Sequence, residues 1–115
     1  MGRIYRGLQL SRNGRKVVVA SFVDTGSDRT IISRRVARRL GIHPAGKEWL
    51  ETTAGHRFLA GAGEVRVISD LDRIDADFKV LITDVPFQAD PDESIDMIVG
   101  LDFLQAQKFR LTFSK

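Results

Sequence analysis

The sequence contains no cysteine, only three prolines and two histidines, and no long apolar run. The absence of cysteine excludes disulfides, thiolate nucleophiles and thiolate zinc sites together. His43 and His56 alone do not supply the four ligands of a structural zinc site. No apolar run approaches the roughly 20 residues that span a bilayer, so we expect no membrane segment in this chain. The start of the chain also lacks the apolar stretch of a signal peptide.

The length, 115 residues, predicts a single domain spanning residues 1–115. Hydrophobic residues make up 43% and charged residues 29% of the chain, which is typical of a soluble globular protein. The net charge of +3 is unevenly distributed, because four arginines crowd one short segment: Arg34, Arg35, Arg38 and Arg39. A solvated helix face is the ordinary explanation of such a run, and we expect no nucleic-acid partner. The cytoplasm is the default compartment; the alternative is a domain excised from a longer anchored or exported protein.

Local patterns in the first third of the chain predict a β-hairpin followed by a short helix. Residues 4–10 and 16–23 are rich in strand-forming side chains, and the Asn13-Gly14 pair between them is a strong signal for a two-residue turn. Ser33 is a candidate helix N-cap, and Gly41 is a candidate left-handed C-terminal cap. The apolar stripe between these caps consists of Val36, Ala37 and Leu40.

The rest of the chain favours short strands. Strand-prone arms between residues 49 and 68 surround a glycine-containing tip, which predicts a hairpin. Further strands are predicted at residues 64–69, 78–83, 96–100 and 109–113, with an acidic turn at residues 70–75 and a short helix at residues 101–107. We expect Trp49 to be a packing anchor beneath the first arm of the hairpin. These patterns predict an all-β fold with one or two short helices.

The tetrad Asp24-Thr25-Gly26-Ser27, which follows an apolar strand, is the strongest chemical signal in the sequence. Aspartic proteolysis needs two carboxylates that share one proton, one acting as general base on a water and the other donating to the scissile carbonyl. The sequence carries the signature once, so this Asp would have to meet a copy of itself. Gly26 lets the backbone approach the carboxylate and substrate closely, and Ser27 is placed to donate to the outer oxygen of Asp24. A plain turn is the alternative, because Asp, Gly and Ser all form turns.

Two separated groups of residues strengthen the protease interpretation. Ser21-Phe22-Val23-Asp24-Thr25-Gly26-Ser27 is followed by Thr30-Ile31-Ile32-Ser33; later come Asp96-Met97-Ile98-Val99-Gly100-Leu101-Asp102-Phe103-Leu104 and Phe109-Arg110-Leu111-Thr112-Phe113. In this order, with a glycine-containing hairpin between the groups, the chain resembles the retropepsin-like aspartic protease family. That family includes retroviral proteases and the DNA-damage-inducible ubiquitin-shuttle proteins. The resemblance covers nearly the whole chain.

The resemblance implies a closed, barrel-like acid protease domain that acts as a symmetric homodimer on peptide or protein substrates, without metal or cofactor. Asp24 would be the catalytic residue, Thr25 would brace the paired loops, and Gly26 would accept the substrate main chain. The hairpin would be a flap that closes over an extended peptide. The further residues implied to contact substrate are Ser27, Asp28, Gly55, His56, Arg57, Phe58 and Ile98.

One of the departures from the family pattern concerns the position after the late glycine. Retroviral members commonly carry an arginine after the late glycine, where it ion-pairs with an acidic residue beside the catalytic loop, but here that position is Leu101. Asp28 therefore needs another partner, such as an arginine. The expected activity is that of an aspartic endopeptidase. The alternative is a dimeric module of the same fold that binds peptides or proteins and hydrolyses them weakly or not at all.

Overall fold

The computed structural model describes residues 4–24, 26–51, 55–70, 73–87 and 95–107. Its elements are β1 (Ile4–Arg12), β2 (Arg15–Val23), β3 (Ile31–Ile32), α1 (Arg34–Arg39), β4 (Ala45–Glu51), β5 (Arg57–Ser69), β6 (Ile74–Ile82), a 3₁₀ turn (Val85–Phe87), β7 (Met97–Val99) and α2 (Leu101–Ala106). The prediction of a mostly β domain with short helices is confirmed. The strand predicted at residues 109–113 lies outside the described residues.

Six of the strands close into a barrel. Neighbouring strands follow the order β1-β2-β7-β3-β6-β5, and β5 pairs back with β1 through Gln9 opposite Ile68 and Leu10 opposite Val67. Strand β4 is added outside this ring, antiparallel to β5, and forms a hairpin with it. Closure pairs strands that would otherwise be sheet edges. The predicted closed barrel is therefore confirmed.

The β1–β2 hairpin is anchored to the C-terminal end of α1. Asn13 and Gly14 have φ values of 54° and 73°, the left-handed conformation that a two-residue hairpin turn requires. The side-chain amide of Asn13 donates to the carbonyl oxygens of Leu40 and Gly41, each at 3.0 Å. A helix end leaves its last carbonyls without intrahelical partners. The turn therefore stabilises the helix end as well as the hairpin.

Helix α1 packs on the barrel through its apolar stripe. The hydroxyl of its N-cap, Ser33, accepts a hydrogen bond from the backbone N–H of Val36 at 3.3 Å. Gly41 has a φ of 69° just beyond the helix, so both predicted caps are confirmed. Val36 and Ala37 are buried in the core. The four arginines of this segment are exposed.

Alternate residues along the strands belong to two different apolar clusters. The larger cluster fills the barrel and includes the fully buried Leu10, Val65, Val80 and Met97. The smaller cluster lies on the opposite face of five adjoining strands, in the order β7-β3-β6-β5-β4. It consists of Ile31, Ala60 and Leu81, with Leu50, Ala62, Phe87 and Ile98 packed against it. Strands buried on both faces are apolar at every position rather than at alternate ones. This explains the runs Ile31-Ile32 and Met97-Ile98-Val99.

Strand β7 lies between β2 and β3, parallel to β2 and antiparallel to β3. The chain that leaves β2 must therefore pass the end of β7 before it enters β3. Asp24 is the first residue of this passage, and its backbone N–H donates to the carbonyl of Val99 at 2.9 Å. The topology thus brings the Asp24 loop, residues 24–30, against the segment that follows β7.

Three expectations about the central region need correction. Strand β5 runs without interruption from Arg57 to Ser69, so the second hairpin arm and the strand predicted at residues 64–69 are one element. Strand β6 already begins at Ile74, which shortens the predicted acidic turn. Trp49 is not a packing anchor, because its side chain is 58% exposed. Successive side chains of a strand point to opposite faces, and β4 turns Leu50 rather than Trp49 toward the smaller cluster.

Candidate active site

Asp24 is oriented by hydrogen bonds within its own loop. The backbone N–H of Gly26 donates to Asp24 Oδ1 at 2.9 Å, and the N–H of Ser27 donates to the Asp24 carbonyl at 3.1 Å. A Cβ on Gly26 would stand 3.2 Å from Asp24 Oδ1. Glycine therefore keeps this side of the carboxylate uncrowded, and Asp24 remains partly exposed.

Gly100 allows the Asp24 loop to pack directly against the start of α2. A Cβ at this position would stand 2.4 Å from the carbonyl oxygen of Arg29 and 2.8 Å from that of Ser27, distances that real side chains do not adopt. The close approach permits a hydrogen bond from the N–H of Leu101 to the Ser27 carbonyl at 2.7 Å. The glycine of the second sequence motif therefore sets the position of the loop.

The carboxylate of Asp102 holds the same loop at a second point. Its Oδ1 accepts from the hydroxyl of Thr30 at 2.7 Å, and its Oδ2 accepts from the Thr30 N–H at 3.1 Å. The Thr30 hydroxyl in turn accepts from the N–H of Gly100 at 3.1 Å. The backbone N–H of Asp102 donates to the Asp28 carbonyl, also at 3.1 Å. Thr30 is fully buried and the side chain of Asp102 is only 22% exposed, so water has little access to the hydrogen bonds between these two residues.

A chain of ion pairs connects the loop to the hairpin. Arg29 Nε lies 3.4 Å from Asp102 Oδ2, and Arg29 Nη1 contacts Glu48 Oε2 on β4. The other oxygen of Glu48 lies 2.5 Å from Nζ of Lys79 on β6. The hydrogen bond from Lys79 is the main cause that lowers the pKa of Glu48. The hydrogen bond from Arg29 lowers it further, whereas desolvation of the carboxylate opposes both effects. Glu48 thus joins the hairpin to two other parts of the fold.

The brace beside the loop has the opposite polarity to that of the retroviral pattern. In that pattern the arginine follows the late glycine and the acidic residue is on the loop side. Here the acidic residue, Asp102, is on the α2 side and the arginine, Arg29, is on the loop. Asp28 is exposed, and its side chain forms no ion pair with any other residue that the structure describes. The expected ion-pair partner of Asp28 is therefore not found among the described residues, and the neighbouring Arg29 pairs with Asp102.

The Asp24 loop forms one wall of an open cleft of about 510 Å³. The β4–β5 hairpin forms the opposite wall, to which Leu50 and Phe58 contribute apolar surface. The smaller apolar cluster supplies the floor through Ile31 and Ile98. The residues that line the cleft are Asp24, Gly26, Ser27, Asp28, Arg29, Ile31, Trp49, Leu50, Glu51, Phe58, Pro86 and Ile98.

The cleft brings together part of the set of residues predicted from the sequence. The predicted residues in its lining are Asp24, Gly26, Ser27, Asp28, Phe58 and Ile98. Gly55, His56 and Arg57 lie at the end of the hairpin and are not part of this lining. The guanidinium of Arg57 lies 4.8 Å from the ring centroid of Trp49. Thr25 lies outside the described residues.

The expected hydrogen bond from Ser27 to the Asp24 carboxylate is not formed. The hydroxyl of Ser27 donates to the carbonyl of Arg29 at 2.8 Å. This contact spans two residues within the loop, so it stabilises the turn. Among the residues that the structure describes, the backbone N–H of Gly26 donates to the Asp24 carboxylate.

Sequence reasoning missed the residues that fix the loop and the hairpin: Arg29, Thr30, Glu48 and Asp102. Arg29 and Asp102 are 73 residues apart, and no local pattern predicts a contact at that separation. Ile31 at the cleft floor was also missed, although a usable signal was present, because Ile31-Ile32 is apolar at successive strand positions.

The described residues contain no group of three or more His, Asp or Glu side chains arranged to hold a metal ion. In the same parts of the chain, neither helix has the length and apolar character needed to cross a membrane.

A family model described as aspartyl protease matches residues 8–103. This range includes the Asp24 loop, the hairpin and the segment around Gly100. The chain belongs to the aspartyl protease family. A search of curated proteins found no significant match to this sequence.

Solved structures with the same fold are retropepsin-like. The EIAV protease complexed with the inhibitor HBY-793 matches with a TM-score of 0.66 at 17% identity, over 93% of this chain and 89% of that one. The retroviral protease-like domain of Ddi1 from Leishmania major matches with a TM-score of 0.56 at 22% identity, over 94% and 75%. A retropepsin-like aspartic protease from Rickettsia conorii matches with a TM-score of 0.51 at 17% identity, over 90% and 69%. The aspartic protease family and the retropepsin-like fold predicted from the sequence are therefore confirmed.

Proposed function

We propose that this aspartyl protease family member is an endopeptidase that works as a symmetric homodimer, with one catalytic Asp24 from each protomer. The observation that carries the proposal is the Asp24 carboxylate, which is held by the Gly26 N–H at 2.9 Å and lines the cleft. Water is the nucleophile, and no metal or cofactor takes part.

The dimer follows from the chemistry of the carboxylate pair. The charged carboxylate removes a proton from water, and the protonated one donates to the carbonyl oxygen of the scissile amide. Two carboxylates in contact hold one proton between them, because both cannot ionise at that distance. One chain supplies a single Asp24 loop. A two-fold axis beside this loop would place a second Asp24 opposite the first, with Thr25 bracing both loops as the family resemblance implies.

The lining of the cleft favours an extended peptide as substrate. The backbone of Gly26, Ser27 and Asp28 would pair with the substrate main chain as an added strand. Alternate substrate side chains would then contact the apolar floor at Ile98. The opposite wall would cover the peptide through Phe58.

The hairpin would act as a flap over the bound peptide. Gly55, His56 and Arg57 stand at its end, where they would meet the substrate from above the cleft. Closure would exclude water other than the nucleophile and so strengthen the electrostatic interactions of the carboxylate pair.

The test is cleavage of a diverse peptide library by the purified chain at acidic to neutral pH, with the molar mass recorded by light scattering at each pH. Asp24→Asn preserves the shape of the side chain but cannot act as general base, so cleavage should fall by a factor of at least about 100. Asp77→Asn is the matched control, because Asp77 is exposed on β6 outside the cleft lining. It should cleave like the wild type.

Two results would contradict the proposal. One is an Asp24→Asn variant that cleaves as fast as the wild type. The other is a folded dimer that binds peptides and cleaves none of them at any pH, which would favour the binding module instead.

A further inference from the structure

The β4–β5 hairpin has a base that is packed tightly on the barrel. We define the hairpin base as residues 45–48 with their partners 60–62. A Cβ on Gly61 would stand 2.4 Å from Pro44 Cβ, and a Cβ on Gly63 would stand 2.8 Å from Ile42 Cγ2. These two glycines therefore leave just enough room for the segment that leads into β4. The base cannot shift without disturbing these contacts.

A second set of contacts holds the base from the side of the cleft. Glu48, at the end of the base, uses one carboxylate oxygen for Arg29 and the other for Lys79. Its side chain is 30% exposed and that of Arg29 is 28% exposed. Partial burial reduces the screening of this pair by solvent. Glu48 is therefore the point where the hairpin, the Asp24 loop and β6 meet.

The part of the hairpin beyond Glu48 has fewer such contacts. We define the hairpin arm as residues 49–51 and 57–59. Trp49 and Leu59, which are paired in register, are 58% and 43% exposed. The arm contacts the rest of the domain mainly through Leu50, which packs against the smaller apolar cluster at the floor of the cleft. Elements with few buried contacts open at the lowest free energy.

We propose that Glu48 is the hinge anchor of the hairpin and that Arg29 is the positioning residue that couples this anchor to the Asp24 loop. The arm beyond Glu48 opens and closes over the cleft while the base stays on the barrel. Arg29 also pairs with Asp102, which holds Thr30 of the loop. A displacement at the hinge therefore reaches the Asp24 loop through one guanidinium. The kinetic part of this inference rests on the proposed protease function; the hinge itself does not.

Hydrogen exchange of backbone amides tests the hinge without reference to cleavage. In the wild type, amides of the arm should exchange faster than those of the base. Glu48→Gln keeps the shape of the side chain but removes its charge, and should raise exchange in the base by about fivefold, the effect of losing a partly buried ion pair. Amides of the barrel near Val65 should not change. Glu64→Gln is the matched control, because it breaks the exposed 3.0 Å pair with Arg12 outside the hairpin.

The coupling is tested by combining Arg29→Gln with Glu48→Gln. If the two side chains act through each other, the double variant should exchange at most as fast as the faster single variant, rather than show the product of both effects. Compared with Arg29→Gln, Arg29→Lys should restore only part of the protection from hydrogen exchange. The compact ammonium group lacks the planar fork with which a guanidinium contacts two carboxylates at once. Lys79→Met gives a second way to weaken the anchor while Arg29 stays in place.

The kinetic test measures KM and kcat separately for a cleaved peptide. Glu48→Gln should raise KM by about fivefold, because the closed arm is less populated, whereas Glu64→Gln should leave KM unchanged. Unchanged exchange in the base of both Glu48→Gln and Lys79→Met would overturn the hinge, and multiplicative effects in the double variant would overturn the coupling. Absence of peptide cleavage by the wild type would count against the proposed function alone, since the exchange results still decide the hinge.

Discussion

Replacement of Gly100 by alanine should displace the Asp24 loop without straining the backbone at residue 100. Gly100 has φ and ψ of −98° and −178°, which any residue adopts. The cost must therefore come from packing. The added methyl would stand 2.4 Å from the carbonyl oxygen of Arg29 and 2.6 Å from its carbonyl carbon. These are backbone atoms, so the loop itself has to move by about 1 Å to reach ordinary contact distances.

This movement should be costly for both stability and activity. Overpacking costs about 1–3 kcal/mol, and the loss of the 2.7 Å hydrogen bond between Leu101 and Ser27 adds about 1 kcal/mol. We therefore expect a loss of about 2–4 kcal/mol in the free energy of unfolding. In the proposed mechanism, a shift of this size in the Asp24 loop should lower cleavage by about 100-fold.

The assay is urea unfolding at one fixed protein concentration, since the stability of the proposed dimer would depend on concentration. Gly7→Ala is the matched control, because a Cβ at Gly7 would have no neighbour within 4 Å. That variant should be neutral or more stable by up to about 1 kcal/mol. The reasoning is refuted if Gly100→Ala loses less than about 0.5 kcal/mol, the usual range of surface substitutions.

Three further predictions concern other parts of the fold. The pKa of Glu48 is lowered in the folded protein, so its stabilising contribution is complete above the ordinary value of about 4.3 and is lost as the pH falls through the lowered value. The urea midpoints of wild type and Glu48→Gln should therefore differ at pH 6, and the difference should shrink as the pH falls below about 4.3. Asn13→Ala loses two hydrogen bonds to the end of α1 and places alanine at a φ of 54°. The free energy of unfolding should therefore fall by about 2 kcal/mol. An unchanged urea midpoint would contradict the anchoring of α1. Leu81→Ala removes a fully buried side chain from the smaller cluster and should cost about 2–5 kcal/mol by thermal or urea unfolding; a loss below about 1 kcal/mol would mean that the floor of the cleft is loosely packed.

Local signals in the sequence predicted those elements whose cause is local. Asn13-Gly14 requires two left-handed residues in succession, and the structure has them there. Ser33 and Gly41 mark the ends of α1 because each satisfies backbone groups within one turn of the helix. The tetrad at Asp24 could be interpreted because aspartic proteolysis requires a carboxylate, and because only a glycine lets the backbone come close to that carboxylate.

Other features could not be predicted because they depend on contacts between distant segments. The face on which Trp49 lies is decided by the register of β4 against β5, and a shift of one residue would have exchanged Trp49 with Leu50. The hydroxyl of Ser27 donates to the carbonyl of Arg29 because of the conformation of the loop, which the residue types alone do not reveal. The pairing of Arg29 with Asp102 exists only because β7 is inserted beside β2.

The central claim, that two Asp24 residues from two protomers form one active site, is tested most directly by mixing wild-type and Asp24→Asn chains. Total protein is kept constant, the subunits are allowed to exchange, and peptide cleavage is measured against the fraction of wild-type chains. If only wild-type pairs are active, an equal mixture retains about one quarter of the full activity, because random pairing makes wild-type dimers in that proportion. A linear decrease, with about one half of the activity retained, would mean that each chain carries a complete site and would contradict the account.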